Sequence, residues 1–135
     1  MVSKSEPISS FLDALCSSLV VDAVSIRERH FIVTPFRYPD GDFISIYLTS
    51  HVNKQRLSDF GATFERFELD GIDGNTKWRR SLIETVCALN GVSHDGHEFS
   101  KEVADSDPNE VVISLCDAIA RISNIQYEQS TEVCI

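Results

Sequence analysis

Apolar residues in the first third of the chain change from helical to strand-like spacing. A helix is predicted by residues three or four positions apart, namely Ile8, Phe11, Leu12, Leu15 and Leu19. The segment from Val24 to Phe36 is rich in Val, Ile and Phe, which are residues typical of β-strands. We therefore predict one helix followed by a long strand.

A tight turn is predicted at Tyr38-Pro39-Asp40-Gly41. Proline presets the backbone at the second position of such a turn, and glycine accepts positive φ near its end. In the strand that follows, apolar side chains alternate with others, and the apolar set is Ile44, Ile46 and Leu48. The pattern predicts a β-hairpin that turns at residues 38–41 and buries that set in the core.

Two helices are predicted in the middle of the chain. A short strand at Arg56-Leu57-Ser58 leads to Asp59, a good N-cap residue. Three aromatic residues follow it at helical spacing: Phe60, Phe64 and Phe67. The next helix has an apolar stripe that we expect to face the core, formed by Trp78, Leu82, Val86 and Leu89.

The final part of the chain predicts a small hairpin and one more helix. Asp95-Gly96 is a dipeptide favoured in hairpin turns. Asp107-Pro108 is typical of a helix start, and the apolar periodicity continues to about Ile125. The order α-β-β-β-α-α-β-β-α predicts an α+β fold in which helices pack on one face of an antiparallel sheet. We expect a single domain over residues 1–135, with a core at about 7–125 and a polar tail at 126–135.

The composition is that of a globular protein. At 135 residues, with 42% hydrophobic and 24% charged residues, the chain can bury a core without staples. No apolar run approaches the length of a membrane span, and Met1 to Pro7 lacks the pattern of a signal peptide. The four cysteines form no paired motif of the kind that zinc sites use. We expect a cytoplasmic protein that needs no cofactor.

Negative charge is concentrated at the C-terminal end. The net charge is −9, and residues 91–135 hold nine acidic against two basic residues. Such a surface repels nucleic-acid phosphates and suits a protein partner with a basic surface, although acidity also simply keeps proteins soluble. The candidate partner-binding residues are Glu102, Asp105, Glu110 and Asp117.

One short segment, Lys77-Trp78-Arg79-Arg80, offers a basic alternative. Basic residues around an aromatic ring bind single-stranded nucleic acid by phosphate contact and base stacking. The same run is also typical of the solvent-facing side of a helix. A nucleic-acid-binding regulator that uses Lys77, Arg79 and Arg80 therefore stays open as an alternative function.

Three aspartates provide a second alternative. Asp40, Asp42 and Asp59 follow or precede strands, and a metal-dependent hydrolase or nuclease requires such a set of carboxylates. Each also has a structural explanation, since Asp40 and Asp42 belong to a turn and Asp59 caps a helix. His94, Asp95, His97 and Glu98 form a ligand-type cluster without a third patterned ligand, which favours an exposed hairpin. No nucleophile elbow or phosphate-binding loop is present, so we assign no catalytic residue.

Three short segments resemble a family of bacteria and their phages, the domain of unknown function DUF1828. They are Thr34-Pro35-Phe36, Pro39-Asp40-Gly41-Asp42 and Leu57-Ser58-Asp59-Phe60-Gly61, within a resemblance that spans roughly residues 20–125. The family has no assigned activity, and Phe60 stands where related sequences often have a second aspartate. The resemblance implies an accessory role or a role in conflict between phage and host. We therefore predict a small acidic protein-binding module, such as an inhibitor.

Overall fold

A computed structural model describes residues 11–26, 29–51, 54–73, 76–95, 97–104 and 107–133. Its centre is one antiparallel sheet with the strand order β1-β2-β3-β4-β6-β5. The strands are β1 (Asp22–Ile26), β2 (Arg29–Arg37), β3 (Phe43–His51), β4 (Lys54–Ser58), β5 (Ser93–His94) and β6 (Phe99–Glu102). Together with the helices packed against it, this sheet confirms the predicted α+β fold.

The predicted hairpin joins β2 to β3. The amide of Gly41 donates to the carbonyl of Tyr38, and Gly41 has a φ of 94°, which glycine adopts readily. The segment predicted as one strand from Val24 to Phe36 is in fact two strands, β1 and β2, which pair antiparallel. That correction adds a strand at the edge of the sheet, because β1 pairs only with β2 among the described strands.

An irregularity in β2 explains the Thr34-Pro35-Phe36 segment. The register between β2 and β3 shifts between Val33 and Arg37. Proline lacks the N–H that a regular ladder needs, so it is tolerated at such a bulge. The hydroxyl of Thr34 donates to the carbonyl of Ile44 at 2.7 Å and so satisfies a backbone group of the neighbouring strand.

The main helices are α1 (Ala62–Leu69), α2 (Lys77–Asn90) and α3 (Pro108–Val133). At the N-terminal end, residues 11–14 are helical and Ser17–Leu19 form a 3-10 turn. The start of the predicted first helix lies outside the described residues. The helix α3 contacts β2, β4 and β6, and this covered face of the sheet holds the aliphatic core. Fully buried strand residues on this face are Ile32, Ile44, Ile46, Leu48 and Leu57.

Two helix predictions are wrong in detail. The last helix continues to Val133 instead of ending near Ile125, and Gln126 is fully buried where a polar tail was expected. In α2, the buried residues are Ile83, Val86 and Cys87. The stripe predicted for the core is mostly outside it, since Trp78 is 45% and Leu89 78% exposed. The sequence contained two apolar stripes, and packing buried the one centred on Ile83.

The second predicted hairpin joins β5 to β6, and its Gly96 lies outside the described residues. The ammonium of Lys101 donates to the carbonyl of Asn90 and so ties β6 to the end of α2. Within the described ranges, no helix combines the length and the apolar character that crossing a membrane requires.

Candidate functional site

The P-D-G-D turn and helix α1 are joined by one arginine. The guanidinium of Arg66 donates to Asp40 at 2.5 Å and to Asp42 at 3.1 Å. It also lies over the ring of Tyr38, 4.0 Å from the ring centroid. The two aspartates of the turn thus hold a cation supplied by the protein itself, and they connect the hairpin to α1.

The buried carboxylate of Asp59 organises the segment between β4 and α1. One oxygen accepts hydrogen bonds from the amides of Gly61 and Phe99, both at 3.0 Å. The other oxygen accepts from the amide of Thr63 at 3.2 Å, in the first turn of α1. Asp59 therefore caps the helix from two positions before its N-cap residue, Gly61, and also joins the segment to β6.

Tyr38 and Thr63 link these two arrangements. The Tyr38 hydroxyl lies 3.1 Å from the Thr63 hydroxyl, and Thr63 in turn bonds to Asp59. Burial raises the pKa of Tyr38 to about 12. Burial likewise raises the pKa of Asp59, against the hydrogen bonds from Thr63, Phe99 and Gly61, which lower it. The arrangement is a buried polar joint between hairpin, loop and helix.

The geometry of Asp40, Asp42 and Asp59 does not provide a cluster of free carboxylates. Arg66 lies between Asp40 and Asp42, and backbone amides surround Asp59. Nowhere in the described ranges do three or more His, Cys, Asp or Glu side chains come together in a way that could hold a metal ion. Burial also raises the pKa of the Cys87 thiol to about 11 and of the Cys116 thiol to about 12, so both remain protonated at neutral pH.

The opposite face of the sheet carries aromatic side chains. Cross-strand pairing aligns Val24 with Phe31, Phe31 with Tyr47, and Tyr47 with Ser58. The rings of Phe31 and Tyr47 have centroids 4.9 Å apart. Val24 is 40% exposed, and the rings of Phe31 and Tyr47 are half-buried. We call this side the uncovered face, because the described helices pack on the other side.

Phe60 extends the aromatic row from a strained position. Its φ is 52°, a left-handed conformation that an aromatic residue rarely adopts. The ring is 42% exposed, lies 4.5 Å from the Tyr47 ring, and carries the guanidinium of Arg29 5.1 Å above its centroid. We name Arg29, Phe31, Tyr47 and Phe60 the aromatic patch.

The backbone around Phe60 is supported from both sides. The amide of Phe60 donates to the Ser58 hydroxyl at 3.0 Å, and that hydroxyl donates to Glu98. Glu98 also pairs with Arg56 at 2.8 Å. At Gly61, whose φ is 82°, an added Cβ would lie 3.0 Å from a backbone carbonyl oxygen. The L-S-D-F-G segment therefore holds residue 60 outward above the uncovered face.

The acidic residues predicted to bind a partner do not share one surface. Glu102 is exposed and pairs across the sheet with Arg56, on the uncovered face. Glu110 and Asp117 belong to α3, on the covered side, and Asp117 forms an ion pair with Arg121 at 3.0 Å. Asp105 lies outside the described residues. These residues therefore cannot act as a single patch.

The basic helix segment is also separate from other arginines. Lys77 and Arg80 are exposed, whereas Arg79 donates to the carbonyl of Asp73 and lies 4.9 Å above the ring of Trp78. Arg29 belongs to the aromatic patch on the other side of the sheet. The remaining arginines of the hypothesis are divided: Arg37 lies over Phe43, Arg56 pairs with Glu98, and Arg27 falls outside the described residues.

A family model described as "Domain of unknown function DUF1828" matches residues 34–122, about two thirds of the chain. The chain belongs to this family. No curated protein and no solved structure matches it. The match includes all three motif segments, and their side chains make the bulge, the arginine clamp and the Asp59 joint described above. The DUF1828 motifs in this chain thus have structural roles.

Sequence analysis did not identify the aromatic patch. The alternation of Phe43, Ser45 and Tyr47 with the core residues of β3 was visible and marked a second face. Phe60 was expected on the helical face of Phe64 and Phe67, but it precedes α1 and lies on the uncovered face instead. Two consecutive left-handed residues at 60 and 61 turn it away from the helix.

Proposed function

We propose that this DUF1828 chain is a small acidic protein-binding module of the cytoplasm of a bacterium, encoded by the bacterium or its phage. It acts as an inhibitor or accessory factor by occupying a basic surface of a larger protein. The observation that carries the proposal is the strained and exposed ring of Phe60 at the centre of the aromatic patch. Aromatic residues and arginine are the side chains enriched at the energetic centres of protein interfaces.

The strain at Phe60 supports a role beyond folding. A left-handed conformation costs an L-residue roughly 1–2 kcal/mol, and asparagine, aspartate or glycine would occupy this position more readily. Strained residues of this type are concentrated at functional sites. Since the ring is also 42% exposed, its contribution to the core is small and does not account for its presence.

Charge supports a basic partner. Carboxylates lie around the aromatic patch, with Glu98 and Glu102 near β4 and Asp22 on β1. The whole chain carries a net charge of −9. Opposite charge accelerates association and sets orientation, while the apolar centre provides much of the affinity. Of the acidic residues predicted from sequence, Glu102 belongs to this surface.

The proposal is tested by affinity capture from nuclease-treated bacterial lysate, with the wild-type chain and Phe60→Asn as bait. We expect a protein retained by the wild type and lost with Phe60→Asn. That protein is then purified and titrated calorimetrically, and binding should weaken as salt approaches 1 M, where the screening length is roughly 3 Å. Asparagine accepts the left-handed backbone, so the variant should fold at least as well as the wild type.

Phe43→Asn is the matched control. Phe43 is 37% exposed and also lies beneath an arginine, with Arg37 4.3 Å from its ring centroid. It is four residues from Tyr47 along β3, roughly 13 Å away at about 3.3 Å per residue. The partner should be retained by Phe43→Asn. If Phe60→Asn and Phe43→Asn retain the same proteins as the wild type, the proposed surface is wrong.

A further inference from the structure

Helix α2 has a second apolar stripe that faces away from the core. Trp78 is 45% exposed, Leu89 is 78% exposed, and Leu82 is half-buried between them. At 100° per residue, these positions and the exposed Thr85 fall within about 60° of one another around the helix. The buried side of α2, at Ile83, Val86 and Cys87, points elsewhere. We call Trp78, Leu82, Thr85 and Leu89 the outer stripe.

The charges of α2 do not suit its own dipole. The N-terminus of a helix carries partial positive charge, yet the first turn of α2 holds Lys77, Arg79 and Arg80 and no acidic residue. The N-cap residue, Thr76, makes no side-chain capping bond. At the other end, the last turn holds no basic residue to balance the negative end of the dipole. Each end of α2 thus lacks the charge that the opposite end could supply.

We propose that a second copy of this chain covers the outer stripe, with the two α2 helices antiparallel about a two-fold axis. In this arrangement Trp78 of each copy packs against Leu89 of the other, and Leu82 and Thr85 lie near the axis. The basic first turn of one helix lies beside the carbonyl end of the other. Parallel pairing would instead bring the two basic first turns together, so charge selects the antiparallel orientation.

The length of the stripe fits this contact. Eleven residues separate Trp78 from Leu89, which is roughly 16 Å at about 1.5 Å per residue. An isologous contact requires that the same surface be complementary to itself. The outer stripe meets that requirement, because a large aromatic ring at one end faces an aliphatic side chain at the other. The interface is separate from the aromatic patch, so it does not depend on the proposed function.

The test uses the fluorescence of Trp78, the one tryptophan of the chain. Full-length protein is diluted from several hundred micromolar to below one micromolar and followed by sedimentation velocity and by emission wavelength. We expect a reversible monomer–dimer equilibrium in which emission shifts to the blue as dimer forms, because the indole leaves water. The two signals should give the same dissociation constant.

Leu89→Glu tests the contact and Leu69→Glu is its matched control. Both leucines are 78% exposed, but Leu69 belongs to α1 and lies outside the stripe. Leu89→Glu should weaken dimerisation at least tenfold and abolish the concentration-dependent shift, whereas Leu69→Glu should change neither. Lys77→Glu provides a second test. It improves the charge of the isolated helix but should weaken the dimer, because it places an acid beside the carbonyl end of the other copy.

Three results would overturn the proposal. The first is a monomer over the whole concentration range. The second is a dimer whose affinity and Trp78 emission are the same in Leu89→Glu as in the wild type. The third is an emission change that appears only when a single-stranded oligonucleotide is added, which would assign the Lys77-Arg80 segment to nucleic acid. Circular dichroism of each variant confirms that α2 still forms.

Discussion

The two faces of the sheet use the same strands for different purposes. Along β3, Ile44, Ile46 and Leu48 are fully buried beneath helices, while Tyr47 between them belongs to the aromatic patch. The covered face is aliphatic and closely packed. The uncovered face combines rings, hydroxyl groups and ion pairs, which tolerate both water and a partner. The alternation of a strand therefore separates folding from recognition, one residue at a time.

The sharpest test of this difference replaces adjacent residues on β3. Ile46→Ala should lower the free energy of unfolding by about 4 kcal/mol, because it leaves a cavity among packed side chains. Tyr47→Ala should cost about 1 kcal/mol, chiefly from its ring contacts with Phe31 and Phe60. Urea denaturation measures both. Equal costs for the two variants would contradict the assignment of Tyr47 to an uncovered face.

The loop between β4 and α1 should be nearly as sensitive as the core. Asp59→Ala leaves the amides of Gly61, Thr63 and Phe99 without their acceptor. At about 1 kcal/mol for each buried donor, the variant should lose about 3 kcal/mol of stability. Chemical denaturation measures the loss, and hydrogen exchange should show faster exchange at these three amides.

Asp42→Ala is the comparison for that prediction. Asp42 accepts from Arg66 on an exposed turn, so its removal should cost less than about 1 kcal/mol. A loss as large as that of Asp59→Ala would mean that the clamp at Arg66, and not the buried carboxylate, holds the joint together.

The smallest predicted effect depends on pH. The pKa of Tyr38 is about 12 in the fold, against about 10 in the unfolded chain, so its phenol favours folding below pH 10 and loses that contribution as pH rises towards 12. Tyr38→Phe lacks the hydrogen bond to Thr63 and should be about 1 kcal/mol less stable at neutral pH. The difference should shrink between pH 10 and 12 in urea melts. A constant difference over that range would contradict a buried phenol.

Local signals in the sequence predicted much of the fold. The turn at Pro39-Asp40-Gly41 and the alternation in β3 each depend on neighbouring residues, and both are confirmed. The helix start at Pro108 and the hairpin before Phe99 were equally local. These features are predictable because backbone conformation and side-chain periodicity act over a few residues.

The rest depended on contacts between distant residues. Periodicity identified an apolar stripe on α2 but could not tell which of two stripes faces α3, since that choice is made by packing. The partner of Asp40 and Asp42 is Arg66, more than twenty residues away, and no local pattern reveals it. The aromatic patch required the register between β2 and β3, which brings Phe31 beside Tyr47.

The bond between Asp59 and the amide of Phe99 also has a consequence for the order of folding. The two residues are 40 positions apart, so the bond forms only after β6 has joined the sheet beside β4. The hairpin of β2 and β3, by contrast, closes over a few residues and can form early. We infer that Phe60 acquires its left-handed conformation after the rate-limiting step. Its strain then accelerates unfolding and leaves the folding rate nearly unchanged.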